Sequence, residues 1–108
     1  MKVKILTSVS DKMQGVKGKS QLDTDELYVF CGIYSHDWFH MKGVEFPIEI
    51  AFVDQEGGIL AIEHMEPEIG KACAPEGTSL AVEASQGYFN QHDLKVGDVW
   101  KELFNKIS

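Results

Sequence analysis

Apolar and polar residues alternate along much of this chain, a pattern typical of β-strands that have two different faces. Leucine, tyrosine, valine and phenylalanine at residues 27–30 make one segment apolar on both faces, which predicts a central strand. Pro47 occupies the start of another strand, a position that proline tolerates. The pattern predicts six strands, at residues 2–9, 27–30, 38–42, 48–54, 59–64 and 79–84.

Helical spacing is confined to short segments. Ser10 and Asp11 favour a helix start, but Gly15 and Gly18 interrupt that helix within two turns. Residues 87–92 suffice for little more than one helical turn, and residues 66–78, with two prolines and two glycines, predict a long loop. A C-terminal helix with Asp98 as its N-cap is predicted from apolar residues at helical spacing: Val99, Trp100, Leu103, Phe104 and Ile107.

These elements predict one domain over residues 1–108, because a chain of this length can bury one core but not two. The fold class is mainly β (α+β). We expect five to six strands and two to three short helices. Short connections favour a compact, curled antiparallel or mixed sheet, or a barrel.

Charge and composition exclude several classes of partner. The net charge is -7, all ten cationic side chains are lysines and arginine is absent, which argues against nucleic acid and against anionic membrane surfaces. There is no apolar run of about 18 residues, as a membrane span requires. The short apolar stretch at the start does not resemble a signal peptide, so we expect a cytoplasmic protein.

The cysteines and histidines do not form a recognisable metal or cofactor site. Cys31 and Cys73 lie 42 positions apart without a C-x-x-C pair, and although one disulfide is arithmetically possible, two reduced thiols are expected. The sequence therefore predicts no metal, no cofactor and no nucleophile–base pair. The four histidines are spread along the chain, at His36, His40, His64 and His92.

Several segments, in this order, resemble the uncharacterised domain-of-unknown-function family 192. They are residues 15–19, 26–30, 38–42, 47–54, 58–62, 73–75, 82–83 with Gly87, and 94–98. The resemblance implies a compact β-rich fold and no known activity. The chain departs from the family pattern at Val16-Lys17, where leucine and methionine are usual, at Glu49, where aspartate is usual, and near Glu68, where a cysteine that would match Cys73 is missing. The family also usually ends in a strand, and many members carry a signal peptide.

One predicted sheet face alternates carboxylates with alanines, whereas the other carries aliphatic and aromatic residues. If Asp54 opposes Gly58 in the hairpin, Glu49 faces Glu63 and Ala51 faces Ala61, and like charges in that arrangement are destabilising. A cation, a raised pKa or simple exposure to water would relieve the repulsion. The carboxylates of this face are Glu49, Glu63 and Glu83.

Two interpretations of this face remain open: a solvent-facing surface, or a shallow polar pocket that binds a ligand. For the pocket, His40 and Lys42 would supply the opposing charge and Trp38 an aromatic anchor. The first function class is a binding or interaction module for a small polar ligand or a protein partner. The alternatives are a small hydrolase or lyase, with Glu49 or Glu63 as general acid/base and Lys42 or His40 as its partner, and a structural subunit of a larger assembly.

Overall fold

The computed structural model describes residues 1–107, and a five-stranded mixed sheet lies at its centre. The strands are β1 (Lys2–Leu6), β2 (Glu26–Cys31), β3 (Trp38–His40), β4 (Ile48–Asp54), β5 (Ile59–Met65), β6 (Lys71–Cys73) and β7 (Thr78–Ser85). The main sheet has the order β1-β2-β7-β4-β5, in which β1 and β2 are parallel and the other neighbours antiparallel. The short strands β3 and β6 form a separate antiparallel ribbon.

The predicted fold class is confirmed: the protein is mainly β, with a curled sheet. No pairing within residues 1–107 joins the edge strands β1 and β5, so the sheet does not close into a barrel. The structure has seven strands rather than five or six, because β6 forms inside the segment that its prolines and glycines marked as a loop. No helix within the described residues has the length and apolar character to cross a membrane.

Three short helices accompany the strands: α1 (Val9–Gln14), α2 (Tyr88–Gln91) and α3 (Lys101–Ile107). The hydroxyl of Ser8 caps α1 by accepting a hydrogen bond from the backbone N–H of Asp11. The C-terminal helix is confirmed, but the predicted N-cap is wrong. The helix begins at Lys101, and Asp98 instead accepts a hydrogen bond from the backbone N–H of Lys95 in the preceding turn.

Both faces of the main sheet are covered, so it is the middle layer of the domain. One face packs against α2 and α3 through Tyr88, Phe89, Trp100 and Leu103. The opposite face packs against the segment that follows α1 and against the β3–β6 ribbon. The buried residues contributed by those elements and by the loop after β3 are Val16, Leu22, Met41, Val44 and Ala72. Because side chains alternate along a strand, each strand supplies both cores.

A β-bulge in the β4–β5 hairpin decides which residues share a face. The predicted register holds at the turn, where the backbone N–H of Asp54 donates to the carbonyl of Gly58. Phe52 then pairs with Ala61 and Val53 with Ile59, which leaves Leu60 as the extra residue. One extra residue shifts every later pairing by one position and exchanges the two faces of the strand.

The predicted pairing of Glu49 with Glu63, and of Ala51 with Ala61, is therefore wrong. Glu49 pairs with His64, whereas Glu63 pairs with Ile50. On the other side of β4, Ile50 pairs with Glu83. Glu63 and Glu83 consequently share the sheet face of Ile50, and Glu49 lies on the opposite face. The three carboxylates do not form one cluster.

Candidate functional site

A buried carboxyl group occupies the centre of the main sheet. Glu83 lies on the central strand β7, and its side chain is 5% exposed. Its partners on the adjacent strands are Tyr28 on β2 and Ile50 on β4, which are also buried. A charged side chain in such a place ordinarily has an ionic or hydrogen-bonding partner.

No protein group takes that partner role for Glu83 within residues 1–107. Loss of hydration raises the pKa of this carboxyl from its usual 4.5 to about 8, with no charge or hydrogen bond contributing to the change. The group is therefore a neutral carboxylic acid at pH 7. In that state it can donate a hydrogen bond through its O–H and accept one through its C=O.

The side chain of Glu83 lines a cavity of about 350 Å³ between the main sheet and the outer layer on that face. Its walls come from α1 and the segment that follows it, from β2, and from the β3 region. Most of the lining is apolar, and the aromatic contribution comes from Phe30, Trp38 and Phe39. This volume lies at the small end of the range found for ligand-binding pockets.

The aromatic wall combines fixed and exposed rings. Phe39 packs edge-on against Phe30, with ring centroids 5.4 Å apart, and also contacts Phe52 at 5.7 Å. By contrast, Trp38 is 68% exposed at the rim, and Met13 on the α1 side of the rim is 70% exposed. Large apolar side chains that face water beside a cavity are available for contact with a bound molecule.

The cavity lining has more cationic than anionic side chains, whereas the chain as a whole has a negative net charge. The lining includes the cationic Lys12 and Lys17 together with His40, against the single ionised carboxylate of Asp37. Lys12 Nζ donates a hydrogen bond of 2.9 Å to the carbonyl of Cys31, which fixes the end of its side chain. A chain with a net charge of -7 thus places an excess of cations around this cavity.

Backbone features hold the two walls in place. Gly15 has φ +48°, and a Cβ there would lie 3.3 Å from Phe30 Cζ, so a side chain would push this wall away from β2. On the other wall, Asp37 Oδ2 accepts a hydrogen bond of 2.9 Å from the backbone N–H of Tyr34. The backbone N–H of Ala74 donates to the carbonyl of Asp37, which ties this turn to the end of β6.

The structure brings together three of the six residues that the sequence singled out for ligand binding: Trp38, His40 and Glu83. Glu49 lies on the other sheet face, where Oε1 accepts a hydrogen bond of 3.3 Å from the backbone N–H of Phe89. Glu63 is exposed on the edge strand β5. Lys42 lines a separate, more open depression with His40, Glu68 and Lys71. Ligand binding by any of these residues stays a prediction.

Sequence reasoning missed the lysine side of the cavity. Lys12 and Lys17 lie in and just after α1, a region where the pattern indicated only a short, glycine-interrupted helix. The two glycines around Val16-Lys17 were the one sequence feature that could have indicated this wall, because glycine permits the close approach of a loop to a sheet. Nothing in the local pattern linked that loop to Glu83, which is 66 positions further along the chain.

The two cysteines and the possible metal ligands do not form a second candidate site within the described residues. Cys31 and Cys73 are free, half-buried thiols. Burial raises the pKa of the Cys31 thiol, and the nearby Lys12 opposes that effect more weakly. Within residues 1–107, no three histidine, cysteine, aspartate or glutamate side chains are grouped so that they could hold a metal ion.

Comparison with known proteins gives a family and a fold. Residues 1–101 match the family DUF192, described as "Uncharacterized ACR". A protein of unknown function from Novosphingobium aromaticivorans has a similar structure, with a TM-score of 0.80 and 19% identity over 90% of this chain and 71% of that one. A candidate transcription regulator from Sinorhizobium meliloti also has a TM-score of 0.80, with 21% identity over 90% of this chain and 78% of that one. No curated protein matches the chain. At these identities the likeness shows the fold alone.

Proposed function

We propose that this chain, which belongs to the uncharacterised DUF192 family, is a binding module that takes a small, largely apolar molecule with one polar group into the Glu83 cavity. The observation that carries the proposal is a buried carboxyl with no protein partner at the wall of a mainly apolar cavity. A ligand that hydrogen-bonds to this carboxyl would supply the missing partner.

The burial of the Glu83 carboxyl favours a role in ligand binding over a purely structural role. Burial raises the pKa of the Glu83 carboxyl to about 8, because the charged form loses hydration at the cavity wall. Carboxyls with such strongly perturbed pKa values are concentrated at functional sites. No side-chain nitrogen or oxygen of the described residues is both fully buried and without a hydrogen-bond partner, so this carboxyl still opens onto the cavity, where a ligand can reach it.

The exposed Trp38 supports binding at this cavity in particular. Its indole projects at the rim, with 68% of its surface in contact with water, while Phe39 on the same strand packs inward. A ligand that entered the cavity would cover part of this indole and gain apolar contact.

A fragment screen tests the proposal. Aromatic and aliphatic fragments that carry one hydroxyl, carboxylate, amine or amide are added to isotopically labelled protein, and amide resonances are followed by NMR. The proposal expects at least one fragment to shift resonances clustered at residues 12–17 and 37–41. If bound fragments shift resonances elsewhere only, or if no fragment binds, the proposal is refuted.

Matched aromatic variants sharpen the result. Trp38→Ala is expected to weaken a fragment's affinity by about fivefold or more, since loss of an aromatic contact costs on the order of 1 kcal/mol. The control is Tyr34→Ala, which removes an aromatic ring that is 73% exposed but does not line the cavity. Equal effects of the two substitutions would contradict binding at the cavity.

One observation also favours an enzymatic alternative. A carboxyl whose pKa is about 8 holds its proton at neutral pH and could act as a general acid in a hydrolase or lyase. His40 lines the same cavity and is a candidate for a second proton-transfer group. A turnover assay on esters and lactones would support this alternative if Glu83→Gln abolished an activity that Tyr34→Ala retained.

A further inference from the structure

The charge of the ligand can be argued from the groups that surround Glu83. The side chains that face it come from every element of the cavity and of the sheet around it. On the sheet, the nearest titratable neighbour is Tyr28, and Lys4 on β1 and Glu63 on β5 follow two strands away on either side. The outer layer contributes Lys12, Lys17, Asp37 and His40.

These groups do not favour a positively charged ligand. A cationic ligand would have to approach Lys12 and Lys17, and the single ionised carboxylate in the outer wall, Asp37, already accepts a backbone hydrogen bond. Two lysines near a mainly apolar cavity instead attract an anion, and their aliphatic stems leave the cavity wall apolar. Lys12 uses one of its three N–H donors on the carbonyl of Cys31, which leaves two for a ligand.

The protonated carboxyl of Glu83 favours the same kind of ligand as the positively charged lysines, namely an anion. A neutral carboxylic acid is a hydrogen-bond donor, and the strongest acceptor it can meet is an anionic oxygen. When two carboxyl groups share one proton, the pair carries a single negative charge, so the bound ligand remains an anion in a cavity whose lining carries two lysines.

We propose that the ligand is a small organic acid with an apolar body, bound as its carboxylate, which accepts a hydrogen bond from the Glu83 carboxyl, while the positive charge of Lys12 and Lys17 in the cavity lining favours an anion over a cation and Trp38 covers its apolar part. This inference rests on the proposed binding function and adds the chemical class of the ligand.

Three probes of nearly equal shape and different charge test the inference: benzoate, benzyl alcohol and benzylammonium. Their affinities for the full chain are measured by NMR titration at pH 6.5. The inference expects benzoate to bind about tenfold or more tightly than the other two, because a charge-assisted hydrogen bond is about twice as strong as a neutral one. Preferential binding of benzylammonium or benzyl alcohol at the cavity would refute the inference and leave the proposed function standing. If none of the three probes binds at the cavity and the fragment screen also yields no binder there, both fail.

Proton linkage supplies a second readout. Benzoate should bind with undiminished affinity between about pH 6 and pH 8, where it is an anion and Glu83 keeps its proton, and lose about tenfold in affinity per pH unit above about pH 8, because the deprotonated Glu83 would repel the carboxylate. Glu83→Gln keeps an N–H donor and loses this pH dependence, whereas Glu83→Ala loses the donor and binds benzoate about tenfold more weakly. A wild-type affinity that does not change between pH 7 and pH 9.5 would overturn the inference.

Matched lysine variants separate local charge from net charge. Lys17→Gln is expected to weaken benzoate binding severalfold, because it removes a cation from the cavity lining. Lys101→Gln makes the same change of net charge on α3, on the opposite side of the sheet, and should leave the affinity unchanged. Equal losses in the two variants would contradict a role for the lysine at the cavity.

Discussion

Glu83→Gln exchanges the buried carboxyl for an amide of nearly the same shape, so the substitution isolates the free energy of ionising this side chain. In the folded protein the pKa of Glu83 is about 8, because burial penalises the charged form, whereas an unfolded chain has the usual value of 4.5. Between these two values the unfolded state releases a proton that the folded state retains. The free energy of unfolding of the wild-type protein therefore falls as the pH rises through this window.

The size of the effect follows from the two pKa values. Each pH unit between 4.5 and about 8 lowers the free energy of unfolding by about 1.4 kcal/mol, which sums to about 5 kcal/mol across the window. The contribution is fully favourable well below pH 4.5 and becomes constant about one unit above pH 8. A glutamine at this position does not titrate. Relative to the wild type, Glu83→Gln should gain about 3.5 kcal/mol of stability between pH 5 and pH 8.

Urea denaturation at pH 5, 6, 7 and 8 measures this difference, because the other titrating groups contribute equally to both proteins. Glu63→Gln is the matched control, since it removes a glutamate on the same sheet face that is exposed on the edge strand. The control should parallel the wild type at all four pH values. If Glu83→Gln also parallels the wild type, the neutral state of the Glu83 carboxyl, and the reasoning built on it, is wrong.

Three further substitutions test how the fold supports the cavity. Gly70→Ala should lower the free energy of unfolding by about 1–3 kcal/mol, because its Cβ would lie 2.7 Å from the backbone nitrogen of Glu66; an unchanged urea midpoint would contradict this. Ser8→Ala should cost about 1 kcal/mol and speed amide hydrogen exchange in α1, because Asp11 N–H loses its cap; unchanged exchange rates there would argue against the cap. Trp100→Ala should cost about 3–5 kcal/mol in urea denaturation, since its indole is 2% exposed, and a loss below 1 kcal/mol would contradict its burial.

The elements could be predicted from the sequence because each carries its own periodicity. The two-residue alternation of β4 and β5 and the helical spacing of α3 are local properties, and the structure confirms them. The strand β6 escaped prediction because three residues between prolines and glycines have no period to detect. Its pairing with β3, which makes it a strand, depends on a segment more than 30 positions earlier.

The candidate site was harder to predict because it depends on register. The pairing of Asp54 with Gly58 was predicted correctly, but the bulge at Leu60 is invisible in the alternation and exchanges the faces of β5. Ala51 and Val53 also indicated that both sheet faces are covered, since they are apolar on the face that was expected to be polar. Both are buried against the helix layer. With both sheet faces covered, a carboxylate is buried or exposed according to the depth of its strand in the sheet. Glu83 is on the central strand and Glu63 is on an edge.

The strand order has a consequence for biosynthesis. β7 lies between β2 and β4 and pairs with both of them, so the sheet cannot form until residues 78–85 have been made. A nascent chain that ends before this point can form the β4–β5 hairpin and the parallel β1–β2 pair, but it cannot join them into a sheet. Folding of the domain must therefore wait until β7 has left the ribosome, and during this delay the strand edges that β7 will cover are open to chaperones or to aggregation.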